Sequence, residues 1–133
     1  IDWPAAPDAD AALSGAARNV VTELIACANR NDPARAFALY SADGLARALR
    51  RQGITPQTVE LVLASAGGAL PPSAQARLLS FDRVLANADR LRADVTLLER
   101  SGFGELRLQS YVVDLVREGN AWLIDEIDQH RPA

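Results

Sequence analysis

The chain of 133 residues contains no lysine, no methionine, one cysteine and one histidine. A single cysteine, Cys27, excludes an intrachain disulfide bond. The only histidine, His130, lies at the far end of the sequence in a tail that we expect to fray, so we do not expect it to act as a base or as a ligand. We therefore expect Cys27 to be a small buried apolar residue of a helix rather than a nucleophile.

An excess of basic charge and long apolar runs are also missing. The 14 basic residues, all of them arginine, are outnumbered by 17 acidic residues, which argues against nucleic-acid binding. A small basic cluster of Arg47, Arg50 and Arg51 is expected to be a solvated helix face. No apolar run approaches the roughly 20 residues needed to cross a bilayer, so we expect no membrane contact by this domain itself. No catalytic motif, metal-ligand set or phosphate loop is present, and no cofactor or metal is expected.

The N-terminal residues 1–12 are rich in alanine, aspartate and proline and are predicted to form a linker. Such a segment suits the region that follows a signal peptide or a membrane anchor, which favours an extracytoplasmic location over the cytoplasmic alternative. Residues 13–130 are predicted to form a single domain, because this length and a hydrophobic content of 49% suit one core.

The first half of the domain is predicted to be helical. Apolar residues at three- and four-residue spacing predict a long first helix. Asp32 and Pro33 fit the N-cap and the first position of a second helix. After a turn at residues 41–44, the pattern predicts short helices over residues 45–51 and 56–65.

The second half is predicted to form four strands joined by short turns. The strands cover residues 77–87, 91–100, 105–117 and 121–128, and the turns lie at residues 88–90, 101–104 and 118–120. Turns this short imply that consecutive strands are antiparallel neighbours. Because a single sheet needs its apolar face covered, we predict an α+β fold in which the N-terminal helices pack on a curved antiparallel sheet.

Three segments resemble the nuclear transport factor 2-like (NTF2-like) superfamily, a cone-shaped α+β fold that also includes ketosteroid isomerases and SnoaL-like polyketide cyclases. The segment from Cys27 to Tyr40 is similar to the superfamily's long helix, Asn-Asp break and second helix that ends in an aromatic residue. The turn Ala88-Asp89-Arg90 is similar to its Asp-Gly-Arg turn. The ending Gly119-Asn120-Ala121-Trp122-Leu123-Ile124-Asp125 is similar to its last strand, Gly-x-Trp-x-Ile-Asp.

Enzymes of this superfamily place a carboxylate base inside the cone, often with a tyrosine, a histidine or a second acid. The resemblance does not assign these roles residue by residue here. Asp114 stands in the apolar run from Tyr111 to Val116, and burial would raise the pKa of its carboxyl group and suit it to act as a base. Tyr40 or Tyr111 would then donate a hydrogen bond to an oxyanion. The alternative is a surface aspartate paired with an arginine of a neighbouring strand.

Three further residues are candidates for ligand binding. By strand alternation Glu126 shares a face with Trp122, which would place it near the mouth of the cone; the alternative is an acid at the rim. Trp122 fits either core packing or the lining of a ligand pocket. Phe37 is predicted to point inward from the second helix.

These observations leave two functions of different classes. The first is a non-catalytic NTF2-like domain that binds a small apolar ligand or a protein partner. The alternative is a small isomerase- or cyclase-type enzyme that uses a pocket carboxylate as general base. Cone-fold proteins commonly dimerise through the outer sheet face, so a homodimer is a further possibility, with a modest interface because the face is polar. Its predicted members are some of Arg83, Arg92, Asp94, Thr96 and Arg107.

Overall fold

The computed structural model describes residues 3–65, 67–100 and 104–129. Its helices are α1 (Ala11–Asn29), α2 (Pro33–Phe37), α3 (Ala42–Arg51) and α4 (Val59–Ala64), and its strands are β1 (Arg77–Asn87), β2 (Arg90–Arg100), β3 (Leu106–Glu118) and β4 (Ala121–Gln129). The strands pair antiparallel in the order β1-β2-β3-β4. The predicted α+β architecture is confirmed, and each strand boundary lies within one residue of its predicted position. Residues 101–103 of the predicted second turn and His130 lie outside the described residues.

The core forms between α1 and one face of the sheet. Asp10 caps α1, since its Oδ1 accepts a hydrogen bond from the backbone N–H of Leu13 at 2.8 Å. Ala17 and Val21 of α1 pack against the apolar sheet face. The largest fully buried side chains of that face are Leu91, Leu115 and Ile124. Among the described helices, none is both long and apolar enough to cross a membrane.

Three bulges curve the sheet around α1. In β1, the register to β2 skips Leu79 and Asp82, and in β4 the register to β3 skips Asp125. Each extra residue bends its strand and increases the local twist. The inner face is therefore concave, and α1 lies in that concavity.

The N-terminal segment covers the outer edge of β1. The backbone N–H of Ala86 donates to the carbonyl of Pro7 at 2.9 Å, and the N–H of Ala9 donates to the carbonyl of Val84 at 2.8 Å. Residues predicted to form a linker thus pair with the edge strand. An edge covered in this way offers fewer free backbone groups to a second chain.

The outer edge of β4 is covered by the chain between α2 and α3. The N–H of Ile124 donates to the carbonyl of Leu39 at 2.8 Å, and the N–H of Ser41 donates to the carbonyl of Ile124 at 2.9 Å. The side chain of Ile124 is fully buried on the inner face. The two bonds therefore fix the start of α3 against the centre of β4.

The predicted turn at residues 41–44 is wrong, because α3 already begins at Ala42. Ser41 is its N-cap, and the Ser41 hydroxyl oxygen accepts a hydrogen bond from the N–H of Gly44 at 3.0 Å. Gly44 is buried, and a Cβ atom there would lie 2.5 Å from the carbonyl oxygen of Ile124 and 2.7 Å from that of Asp125. Glycine is therefore required at this position for close packing of backbone on backbone, not for a turn.

The predicted start of α4 is also too early. Residues 55–58 form a turn in which the Thr58 hydroxyl oxygen accepts a hydrogen bond from the N–H of Thr55 at 2.9 Å. The helix then runs only from Val59 to Ala64.

Substitution of Gly44 by alanine should destabilise the protein by at least about 3 kcal/mol, because the new methyl group meets backbone that cannot rotate away. The matched control is Gly15→Ala in the interior of α1, where a Cβ meets nothing within 4 Å. This change should stabilise the protein by about 0.5–1 kcal/mol. Urea unfolding of the two variants measures both effects. Equal stabilities for the two variants would contradict the proposed contact of α3 with β4.

Candidate functional site

Two of the candidate residues meet in a cavity between the helices. This helical cavity has a volume of about 330 Å³ and lies between the C-terminal part of α1, α2, α3 and α4. Its apolar lining includes Cys27, Phe37, Tyr40, Leu45, Leu49 and Val62. Polar side chains of Asn31, Asp32 and Gln52 complete the wall. Two predicted site residues, Phe37 and Tyr40, therefore line one cavity.

Local sequence signals place these two aromatic residues. Asn31 has a positive φ of 55°, which turns the chain sharply after α1. Asp32 and Pro33 then start α2 as predicted, with Asp32 Oδ1 accepting a hydrogen bond from the N–H of Arg35 at 3.2 Å. Phe37 ends α2, and Tyr40 follows three residues later as an isolated parallel bridge partner of Ile124. The sheet therefore holds the Tyr40 backbone at the cavity wall.

The Tyr40 hydroxyl makes no hydrogen bond to any residue that the structure describes. The side chain is half-buried, and burial raises the pKa of its phenol above the ordinary value. The group is thus neutral at physiological pH. A hydroxyl in this state can both donate a hydrogen bond and accept one.

A second cavity adjoins the first. This polar cavity has a volume of about 240 Å³ and lies between α3 and β4. It shares Tyr40, Ala48 and Gln52 with the helical cavity. Gly44 and Ile127 also line it, together with four charged side chains, namely Arg47, Arg51, Asp125 and Glu126.

Asp125 is the polar centre of this region. Its carboxylate accepts hydrogen bonds from the Ser41 hydroxyl and from Nη1 of Arg90, both at 2.9 Å, and pairs with Nη2 of Arg47 at 3.1 Å. Burial alone would raise the pKa of Asp125, but the hydrogen bonds from Ser41 and Arg90 and the nearby charge of Arg47 lower it below its ordinary value. One carboxylate therefore joins β4 to β2 and to the start of α3.

Sequence reasoning did not single out Asp125. The residue was recognised only as the end of the Gly-x-Trp-x-Ile-Asp pattern, which is a fold signal. Its position as the extra residue of the β4 bulge turns the side chain out of the alternating pattern. A bulge leaves no mark in the hydrophobic periodicity of so short a strand.

The expectation of a solvated basic face holds for Arg50 and Arg51, which are exposed, but is wrong for the half-buried Arg47. Arg47 Nη2 donates to the carbonyl of Asp125 at 2.7 Å, and Arg51 Nη1 donates to the carbonyl of Ile127 at 3.0 Å. The two side chains thus cover carbonyls along the edge of β4. Nε of Arg47 is buried and has no partner among the described residues.

Asp114 lies on the other face of the sheet, away from both cavities. Its two carboxylate oxygens accept hydrogen bonds from Nε and Nη2 of Arg92 at 2.7 and 2.8 Å. The hydrogen bond to Asp114 raises the pKa of Arg92, whose guanidinium group also lies 4.9 Å from the centre of the Trp3 ring. This geometry matches the alternative of a surface aspartate paired with an arginine of the neighbouring strand.

Tyr111 points to the inner face and lines a small apolar cavity of about 160 Å³ between α1 and the sheet. Its hydroxyl donates to Oε1 of Glu99 at 2.8 Å. Burial and this bond raise the pKa of Tyr111 to about 12. Because Asp114 lies on the opposite face, the structure does not bring a tyrosine hydroxyl and the Asp114 carboxylate together.

The other two candidates lie on β4. Trp122 is half-buried and packs against the core cluster. The bulge shifts the register, so that Leu115 pairs with Ile124 but Asp114 pairs with Glu126. Glu126 therefore does not share a face with Trp122 as predicted; it forms an ion pair with Arg51 at the polar cavity.

Replacement of Asp125 by asparagine should destabilise the protein by about 2 kcal/mol at neutral pH, because it leaves Arg47 and Arg90 without their counter-charge in a partly buried site. Since the folded state lowers the pKa of Asp125, its contribution is present at neutral pH and is lost as the pH falls through that lowered value. The difference between wild type and variant should therefore shrink in acid. Urea unfolding at pH 7 and pH 3 measures this change.

The control for this prediction is Asp128→Asn. Asp128 is 54% exposed and pairs with Arg51 at 3.3 Å, so its loss should change the stability by no more than about 0.5 kcal/mol. A cost for Asp125→Asn as small as that of the control would contradict the central role of Asp125.

No family model and no curated protein matches the chain. Six chains of solved structures are similar to it, and two of them carry the comparison. One is an NTF2-like protein of unknown function from Pseudomonas putida KT2440, with 14% identity, a TM-score of 0.64 and coverage of 92% of this chain and 89% of that one. The other is a designed NTF2 protein, with 11% identity, a TM-score of 0.58 and coverage of 86% of this chain and 96% of that one. The helices packed on a curved four-stranded sheet, together with these similarities, show that the chain has the NTF2-like fold.

Proposed function

We propose that the protein is a non-catalytic domain that binds a small, mostly apolar molecule in the helical cavity. The observation that carries this proposal is the meeting of Phe37, Tyr40 and the leucines of α3 around one cavity of about 330 Å³. That volume is at the lower end of the range for small-molecule sites, which are mostly apolar and carry few polar groups. A compact molecule of one or two rings suits this space.

The charged groups near the cavity favour binding over catalysis. Asp32 is the one carboxylate among the cavity-lining residues, and its Oδ1 already caps α2. Asp125 is held ionised by Ser41 and two arginines, so it is a poor base. The alternative of an isomerase- or cyclase-type enzyme needs a carboxylate with a raised pKa near a tyrosine hydroxyl, and Asp114 is bound to Arg92 on the opposite sheet face.

A second proposal concerns a protein partner, namely a second copy of the chain bound through the outer face of the sheet. Leu106 and Leu108 of β3 are 58% and 64% exposed, and the half-buried Leu98 pairs with Leu108. This end of the outer face is thus more apolar than the sequence predicted. Arg107, expected on the same face, instead pairs with Glu99 on the side of Tyr111. A self-complementary contact across this patch would bury the leucines.

Binding in the helical cavity can be tested by filling it. The variant Ala36→Leu adds a larger side chain to the cavity wall and reduces the space in the cavity. It should therefore weaken binding of the fluorescent two-ring probe 1-aminonaphthalene by at least about tenfold. Ala38→Leu is the matched control, because Ala38 is exposed just beyond the end of α2. A fluorescence titration measures both affinities. Failure of the wild type to bind the probe, or equal affinities in the two variants, would overturn the proposal.

The proposed homodimer can be tested by placing a charge in the apolar patch. Light scattering at high protein concentration should give a dimer mass for the wild type and a monomer mass for Leu108→Glu, because a carboxylate cannot be buried there without a partner. The control Leu61→Glu changes an equally exposed leucine on α4, 68% exposed, and should leave the dimer intact. A monomeric wild type would refute the dimer.

A further inference from the structure

The helical cavity and the polar cavity meet along a shared wall. Tyr40, Ala48 and Gln52 line both of them. Ala48 has only a methyl group, and Tyr40 is half-buried with its hydroxyl free of protein partners among the described residues. An apolar molecule in the helical cavity therefore has one end beside the polar cavity.

The groups that remain available at this shared wall can donate hydrogen bonds, and the adjoining polar cavity adds a group that can only donate. The Tyr40 hydroxyl and the Gln52 side-chain amide have no partners among the residues that the structure describes. Arg47 lines the polar cavity, and its Nε is a buried donor that also has no partner among the described residues. Arg47 Nε can only donate, and an oxygen atom that reaches it would remove the free-energy cost of this buried, unpartnered donor.

The carboxylates of the polar cavity, by contrast, already have partners. Asp125 accepts hydrogen bonds from Ser41 and Arg90 and pairs with Arg47, and Glu126 accepts from Arg51. The charges on the cavity wall balance, with two arginines against two carboxylates. An incoming group therefore meets unpaired donors without a net negative charge that would repel it.

We infer that the ligand is amphipathic, with an apolar body in the helical cavity and a hydrogen-bond-accepting oxygen that Tyr40 and Gln52 bind at the edge of the polar cavity. This inference rests on the proposed binding function and adds the chemical class of the ligand. A ketone oxygen and a carboxylate oxygen both satisfy the unpaired donors. Because the charges of the wall balance, they do not by themselves favour either the ketone or the carboxylate.

Three probes with the same two-ring body separate these possibilities: naphthalene, 2-acetylnaphthalene and 2-naphthoate. Fluorescence titration should show that at least one of the oxygen-bearing probes binds about tenfold or more tightly than naphthalene. A preference for 2-acetylnaphthalene alone identifies a neutral acceptor, and a preference for 2-naphthoate alone identifies an anionic one. Equal binding of all three would overturn the inference and leave the proposed function in place. Absence of binding by all three would overturn both.

Two variants test whether Tyr40 and Gln52 cause the tighter binding of the oxygen-bearing probe. Tyr40→Phe and Gln52→Met each remove a donor and keep the size of the side chain, so each should reduce the preference for the oxygen-bearing probe without changing the affinity for naphthalene. Tyr111→Phe is the matched control, because the Tyr111 hydroxyl is bound to Glu99 and lines a different cavity. A preference that survives in Tyr40→Phe and Gln52→Met, or that is lost in Tyr111→Phe, would contradict the inference.

Discussion

The contact between the start of α3 and the centre of β4 is the constraint on which the rest of the structure depends. Ile124 contributes its buried side chain to the core and both of its backbone groups to the chain at Leu39 and Ser41. Gly44 permits this approach because it has no Cβ atom, and the Asp125 carboxylate binds the same turn through Ser41. The contact sets the position of Tyr40 and so creates the wall between the two cavities.

The same contact also closes one edge of the sheet. A four-stranded antiparallel sheet has two outer strands, and each presents backbone groups that can pair with another chain. The N-terminal segment covers β1, while residues 39–41 and the guanidinium groups of Arg47 and Arg51 cover β4. Arg47 and Arg51 therefore bind backbone groups of their own chain. The covered edges thus offer few free backbone groups to a second chain.

The strands were predictable from the sequence because alternation and short turns are local signals. The apolar surroundings of Asp114 allowed both burial and an arginine pair, and the structure shows the pair with Arg92. The start of α3 and the role of Asp125 were not predictable. Both depend on where β4 lies against α3, a contact between residues about 80 positions apart in sequence. A glycine in a polar segment indicates a turn by local rules. Only the packed structure shows that the carbonyl of Ile124 lies too close to Gly44 for any residue with a Cβ atom.

The distribution of large side chains explains why the helices, not the concave sheet face, provide the larger space. Leu91, Leu115 and Ile124 fill the inner face against α1, which leaves a cavity of about 160 Å³ beside Tyr111. The helices α2 and α4 have only five and six residues and cannot pack closely over α3, so a space of about 330 Å³ remains between them. The two tyrosines differ accordingly: Glu99 binds the hydroxyl of Tyr111, whereas the hydroxyl of Tyr40, at the wall of the helical cavity, has no partner among the described residues.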